Sequence, residues 1–151
     1  MLDSKNTVLV LIDIQGNLAL AMHERERLFE NLSRLVAGVR AFDIPIIWTE
    51  QNPEKLGPTI PHVACVMPDT VKPIPKMSFS CCGERLFLTA LEEAGRAEVL
   101  LAGIEAHICV YQTAVDLLAN GFRVHVVTDA VSSRTAHNRE LAIMKMHSCG
   151  A

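Results

Sequence analysis

No apolar run in these 151 residues approaches the roughly 18 needed to cross a bilayer. The first ten residues contain Asp3 and Lys5, and they lack both a basic n-region and a small-residue cleavage site. Neither a membrane partner nor a targeting segment is expected. Basic stripes are also missing. Fourteen Lys and Arg stand against 17 Asp and Glu, for a formal charge of −3 and a pI near 6.0, which speaks against a nucleic-acid partner. C-x-x-C does not occur, and the six histidines form no H-x-x-x-H pair. No metal site is signalled, and no cofactor is expected. A G-x-S-x-G elbow is absent, so Ser132 and Ser133 are not read as serine nucleophiles. The five cysteines, at 65, 81, 82, 109 and 149, are odd in number and irregular in spacing. They do not describe a disulfide framework, and a reducing cytosol is the simplest setting.

Half of the residues are hydrophobic, which is ample for the core of one domain over residues 1–151. Strand and helix signals alternate. Thr7 to Ile12 (TVLVLI) is apolar and β-branched throughout, as in a strand covered on both faces. Leu28, Leu32, Leu35, Val36 and Val39 repeat at helical spacing within Glu24 to Ala41. Ile44 to Thr49 reads as a second strand. Residues 52–75 hold six of the seven prolines and are expected to form a long functional loop without regular structure. Further helices are expected over Gly83 to Ala94, His107 to Ala119 and Ala136 to His147, and further strands over Glu98 to Ala102 and Phe122 to Thr128. Strands alternating with helices predict right-handed crossovers, a mostly parallel sheet and a three-layer α-β-α, Rossmann-like fold. In such folds chemistry collects beyond the carboxyl ends of the strands.

Three residues stand at such places. Asp13 directly follows the first strand, where a carboxylate is costly to bury unless paired. Its two readings are a site residue and a turn cap. Cys109 follows the third expected strand, near a helix N-terminus whose dipole favours thiolate and whose free N–H groups suit an oxyanion. The competing reading is a buried packing cysteine. Cys65, Cys81, Cys82 and Cys149 have no such setting and read as packing or surface thiols. Lys76 closes the proline-rich segment, and alone it reads as a solvated charge. His107 lies two residues before Cys109, and its plain reading is a first-turn helical residue.

Leu11-Ile12-Asp13-Ile14-Gln15, Lys76-x-x-Phe79-Ser80 and Gly103-Ile104-Glu105-Ala106-His107-Ile108-Cys109-Val110 occur in this order on alternating elements. Together they resemble the isochorismatase-like cysteine hydrolases over nearly the whole chain. Thr49-Glu50-Gln51-Asn52-Pro53, Leu56-Gly57-Pro58-Thr59 and Gln112 to Leu117 look most like the isochorismatase domain-containing subgroup. The resemblance implies a catalytic triad of Asp13, Lys76 and Cys109. It also implies a cis peptide between Ile104 and Glu105, with the Glu105 and Cys109 N–H groups as oxyanion donors. Substrate contacts are implied for Gln15, Glu50, Gln51, Phe79 and Ile104.

The activity implied is hydrolysis of a small-molecule amide or related C–N bond through a Cys109 thioester. The rival readings are isochorismate-type vinyl ether hydrolysis and a catalytically idle scaffold. Where nicotinamidases of this superfamily carry an Asp-x-His metal pattern, this sequence has Glu50-Gln51-Asn52, so no metal is expected. The family usually continues past a Gly-Ala like Gly150-Ala151 into a sixth strand and a last helix. If the chain ends there, the strand FRVHVVT is an edge guarded only by Arg123 and His125 and a homo-oligomer is expected; the other reading is that a further strand and helix of the same chain cover that edge.

Overall fold

The computed structural model describes residues 2–151. Five strands, β1 (Thr7–Ile12), β2 (Ile46–Gln51), β3 (Ile74–Lys76), β4 (Glu98–Gly103) and β5 (Arg123–Val131), form a parallel sheet in the order β3-β2-β1-β4-β5. The α/β class expected from the alternating pattern is the one observed. β1 is central, and all six of its residues are buried. Alternate side chains point to opposite faces. Leu9 and Leu11 join one core, with α2 (Arg25–Ala41) and Trp48. Val8, Val10 and Ile12 join the other, with α5 (Arg85–Ala94), α6 (Tyr111–Ala119) and α7 (Ala136–Ser148). A continuous apolar run is therefore what two covered faces require.

Several boundaries differ from the sequence expectation. β2 begins at Ile46, two residues late, because Ile44 and Pro45 lead into the strand from the α2 turn. It then continues through the polar Glu50 and Gln51. A short helix, α1 (Gly16–Leu20), was not foreseen between β1 and α2. The proline-rich segment also carries regular structure: α3 (Pro53–Leu56), α4 (Pro61–Ala64) and β3. Pro53 and Pro61 occupy the first helical turn, where the missing N–H costs nothing and the fixed φ helps. Pro75 lies in β3, at the sheet edge, the position where a strand tolerates proline.

This segment is tied firmly to β2. Glu50 Oε1 accepts from the Thr59 N–H (2.6 Å) and hydroxyl (2.8 Å), and the Trp48 indole donates to Thr59 Oγ1 at 2.8 Å. At the far end of β4, Gly103 has φ +129°, and a Cβ there would stand 2.2 Å from the Ile12 carbonyl oxygen. Only glycine lets the ends of β1 and β4 approach this closely, which brings Asp13 beside the residues that follow β4. Among the described residues no helix is long and apolar enough to cross a membrane.

Candidate active site

Asp13 follows β1, Lys76 ends β3, and Cys109 lies in a turn of π-helix, Ala106–Val110, between β4 and α6. With the order β3-β2-β1-β4, these three positions meet beyond the carboxyl ends of neighbouring strands. The side chains are 1%, 1% and 8% exposed as residues, so every charge among them needs an internal partner. Lys76 Nζ stands 2.8 Å from Asp13 Oδ2. It also donates to Gln51 Oε1 (2.5 Å) and to the carbonyls of Ser78 and Phe79 (3.1 Å each). Asp13 Oδ1 accepts from the Thr49 hydroxyl at 2.9 Å. The Cys109 thiol is close enough to feel the charges of both members of the ion pair.

Burial dominates the electrostatics. It raises the Asp13 carboxyl above its ordinary value, against the pull of the Lys76 charge and the Lys76 and Thr49 hydrogen bonds. Burial also works against the Lys76 ammonium, but attraction to Asp13 and to the Cys109 sulfur outweighs it and lifts the net pKa. The Cys109 thiol is pushed up to about 12, by burial first and by the Asp13 charge, with Lys76 pulling the other way. Desolvation and the neighbouring carboxylate thus work against a thiolate at Cys109, and the Lys76 charge works for it.

The Ile104–Glu105 peptide is cis. Among the described residues no acceptor takes the Glu105 N–H. The Glu105 carboxylate is buried and braced by Arg134, through Nη2 at 2.9 Å to Oε1 and Nε at 3.2 Å to Oε2. His107 Nδ1 contacts Ser133 Oγ at 2.9 Å and lies 3.9 Å from Glu105 Oε2. Both contacts use the same ring nitrogen, so this is not a relay of the Ser-His-acid kind, in which the two nitrogens serve different partners. Ser132 is also structural, donating to the His23 carbonyl at 2.8 Å.

The five residues implied as substrate contacts are placed as follows. The Gln15 amide is engaged with backbone, receiving the Gln51 N–H at 2.7 Å and donating to the Gly57 and Gln51 carbonyls. Glu50 is held by Thr59, and Gln51 spans Lys76 and the Met77 carbonyl. These three build the frame of the ion pair. Ile104 is buried, whereas Phe79 is 56% exposed beside the site. Sequence reasoning missed Thr49, Arg134 and Cys81. Cys81 is a packing residue as read, yet it is buried with Sγ 3.8 Å from Thr49 Oγ1, close enough to feel the charges of Lys76 and Asp13. The available signal was the break from apolar to polar at Thr49 inside a strand.

Residues 7–151 match the isochorismatase domain. The chain is 37% identical over 149 residues to isochorismatase domain-containing protein 2 of Danio rerio, covering 99% of this chain and 74% of that one. The solved structure of a Caenorhabditis elegans protein described as MAR1 ribonuclease superposes with a TM-score of 0.93 at 36% identity, over 99% of this chain and 77% of that one. The Escherichia coli ycaC gene product, described as an octameric hydrolase of unknown specificity, superposes with a TM-score of 0.93 at 26% identity, over 99% and 75%. On the extent of these matches, the chain belongs to the isochorismatase family.

Proposed function

We propose that the protein is a cysteine hydrolase whose one catalytic domain cleaves a small-molecule amide or related C–N bond. The observation that carries this reading is the buried Lys76–Asp13 pair, 2.8 Å apart, whose charges both act on the neighbouring Cys109 thiol. Asp13 takes the thiol proton as the sulfur attacks the carbonyl carbon, and Lys76 balances the charge of the pair. The Glu105 and Cys109 N–H groups hold the oxyanion. As it collapses, the C–N bond breaks and Asp13 passes its proton to the departing amine. Water then attacks the thioester with Asp13 as base, which releases the acid and restores the thiol.

Isochorismatase-family membership supports a hydrolase, and the octameric relative supports a homo-oligomer. The C. elegans relative brings in RNA as a competing substrate, but the formal charge of −3 and the lack of a basic stripe favour a small molecule here. The five unpaired cysteines fit the cytosol. A panel of small amides, carbamoyl compounds, isochorismate and single-stranded RNA tests the substrate class, with Cys109→Ala as the paired control. Turnover of an amide or carbamoyl compound is expected, lost in C109A with the fold intact by circular dichroism. Turnover of that substrate surviving in C109A, or cleavage of RNA or isochorismate alone, overturns the reading.

A further inference from the structure

We infer that Thr49 is a positioning residue for the Asp13 base, its hydroxyl holding Oδ1 and so fixing the direction of the carboxylate that receives the Cys109 proton. The inference rests on the proposed role of Asp13. Asp13 has φ +55°, a left-handed conformation uncommon outside glycine and asparagine-like residues. The chain turns sharply there, and the carboxylate must be aimed by something beyond the strand. Thr49 does this with two groups. Its carbonyl accepts the Asp13 N–H at 3.2 Å, and its hydroxyl donates to Asp13 Oδ1 at 2.9 Å. A β-branched side chain on a strand is stiff at χ1, so the direction of the hydroxyl is set by the backbone of β2.

The hydroxyl has one proton, and its surroundings send that proton to Asp13. On its other side is Cys81 Sγ at 3.8 Å, a longer contact to a weaker acceptor than the carboxylate oxygen at 2.9 Å. Asp13 Oδ2 lies 2.8 Å from the Lys76 ammonium, and no hydrogen bond reaches it among the described residues. The two oxygens are therefore unequal: Oδ1 is held by the Thr49 hydroxyl, and Oδ2 faces the Lys76 ammonium. The charged and titratable groups facing Asp13 are Lys76 from β3, Cys109 from the turn after β4, and Cys81 behind Thr49. If Thr49 only filled the core, valine would serve as well, with the same shape and no hydroxyl to desolvate.

The test uses iodoacetamide as the probe and follows S-alkylation of Cys109 by peptide mass spectrometry in the full chain, between about pH 4 and pH 9. The sulfur displaces iodide and forms a thioether, while its proton passes to Asp13 and then to solvent. In the wild type the rate steps up where Asp13 loses its own proton and becomes able to take that of the thiol. Thr49→Val removes a donor that favours the carboxylate, so the step moves up by about one pH unit. Thr49→Ser keeps the hydroxyl, and the step stays at the wild-type position. If the valine variant does not fold, Thr49→Ala against Thr49→Ser gives the same comparison.

An unmoved step in T49V, or a step in T49S displaced as far as in the variant without the hydroxyl, overturns the role of Thr49. Asp13→Asn separates this from a deeper failure. It is expected to abolish the step, and a step that survives in D13N removes Asp13 as the base and the proposed chemistry with it.

Discussion

A lysine buried to 1% exposure is the costliest residue of the site, and its surroundings explain why it is tolerated. Its ammonium donates to three oxygens and stands 2.8 Å from a carboxylate. Lys76→Met removes the charge at similar volume and leaves Asp13 buried without a counter-ion. Breaking a buried pair from one side costs about 3–5 kcal/mol. The sign with pH follows from the carboxyl. Its folded pKa already lies above the ordinary value through burial, and without Lys76 it rises further. The loss is then small below about pH 4, where both folded and unfolded forms are protonated, and grows as pH rises through the folded value. Urea unfolding of K76M against wild type at acid and neutral pH checks this, and a pH-independent difference would contradict it. Cys109 alkylation at neutral pH is expected to slow in the same variant, because the forming thiolate loses its nearest cation. The roles expected of Asp13 and Lys76 drew on motif and strand-end position. Thr49 escaped notice because a threonine inside a strand is already accounted for by its β-branched shape, and its partner lies 36 residues away.

Elements set how finely such a site is held. The positions of the main strands and helices were legible because burial on two faces and on one stripe leaves different apolar periods. What was not legible came from contacts between segments. The proline-rich stretch looked unstructured, yet Glu50, Thr59, Trp48 and Gln15 bind it to β2 over separations no local pattern reports. The loop between β5 and α7 is a second case. From it Arg134 reaches back to brace the Glu105 carboxylate with two of its nitrogens, which steadies the peptide proposed to supply one oxyanion donor. This separates two chemistries. Acyl transfer passes through an oxyanion, and displacement of iodide by the same sulfur does not. Arg134→Gln is therefore expected to lower turnover of the amide substrate by about tenfold through a misaimed donor, while Cys109 alkylation by iodoacetamide keeps its wild-type rate. Parallel losses in both assays would show that Arg134 supports the whole site instead of the oxyanion donors.

Across the whole molecule the two sides of the sheet end differently. β3, with Pro75 within it, closes one edge in three residues. β5 runs for nine residues at the other edge, and among the described residues no strand pairs with its outer side. Arg123 and His125 lie on this strand, but both turn toward the buried Glu98 at the foot of β4, which leaves the half-buried Val126 and Val127 before the exposed Thr128 and Asp129. Next to it α7 buries Ala142 and Met146 and presents Leu141 and Met144, 41% and 59% exposed, one turn apart on its outer face. A long edge and an apolar helix face side by side are features that soluble chains cover or charge. With the octameric relative as precedent, we propose that this chain assembles with copies of itself and that Leu141 and Met144 of α7 take part. Multi-angle light scattering is expected to give a mass of at least two chains, and the double variant Leu141→Lys, Met144→Lys is expected to lower it while leaving Cys109 alkylation unchanged. A wild-type monomer would contradict the assembly, and a variant of undiminished mass would move the interface away from α7.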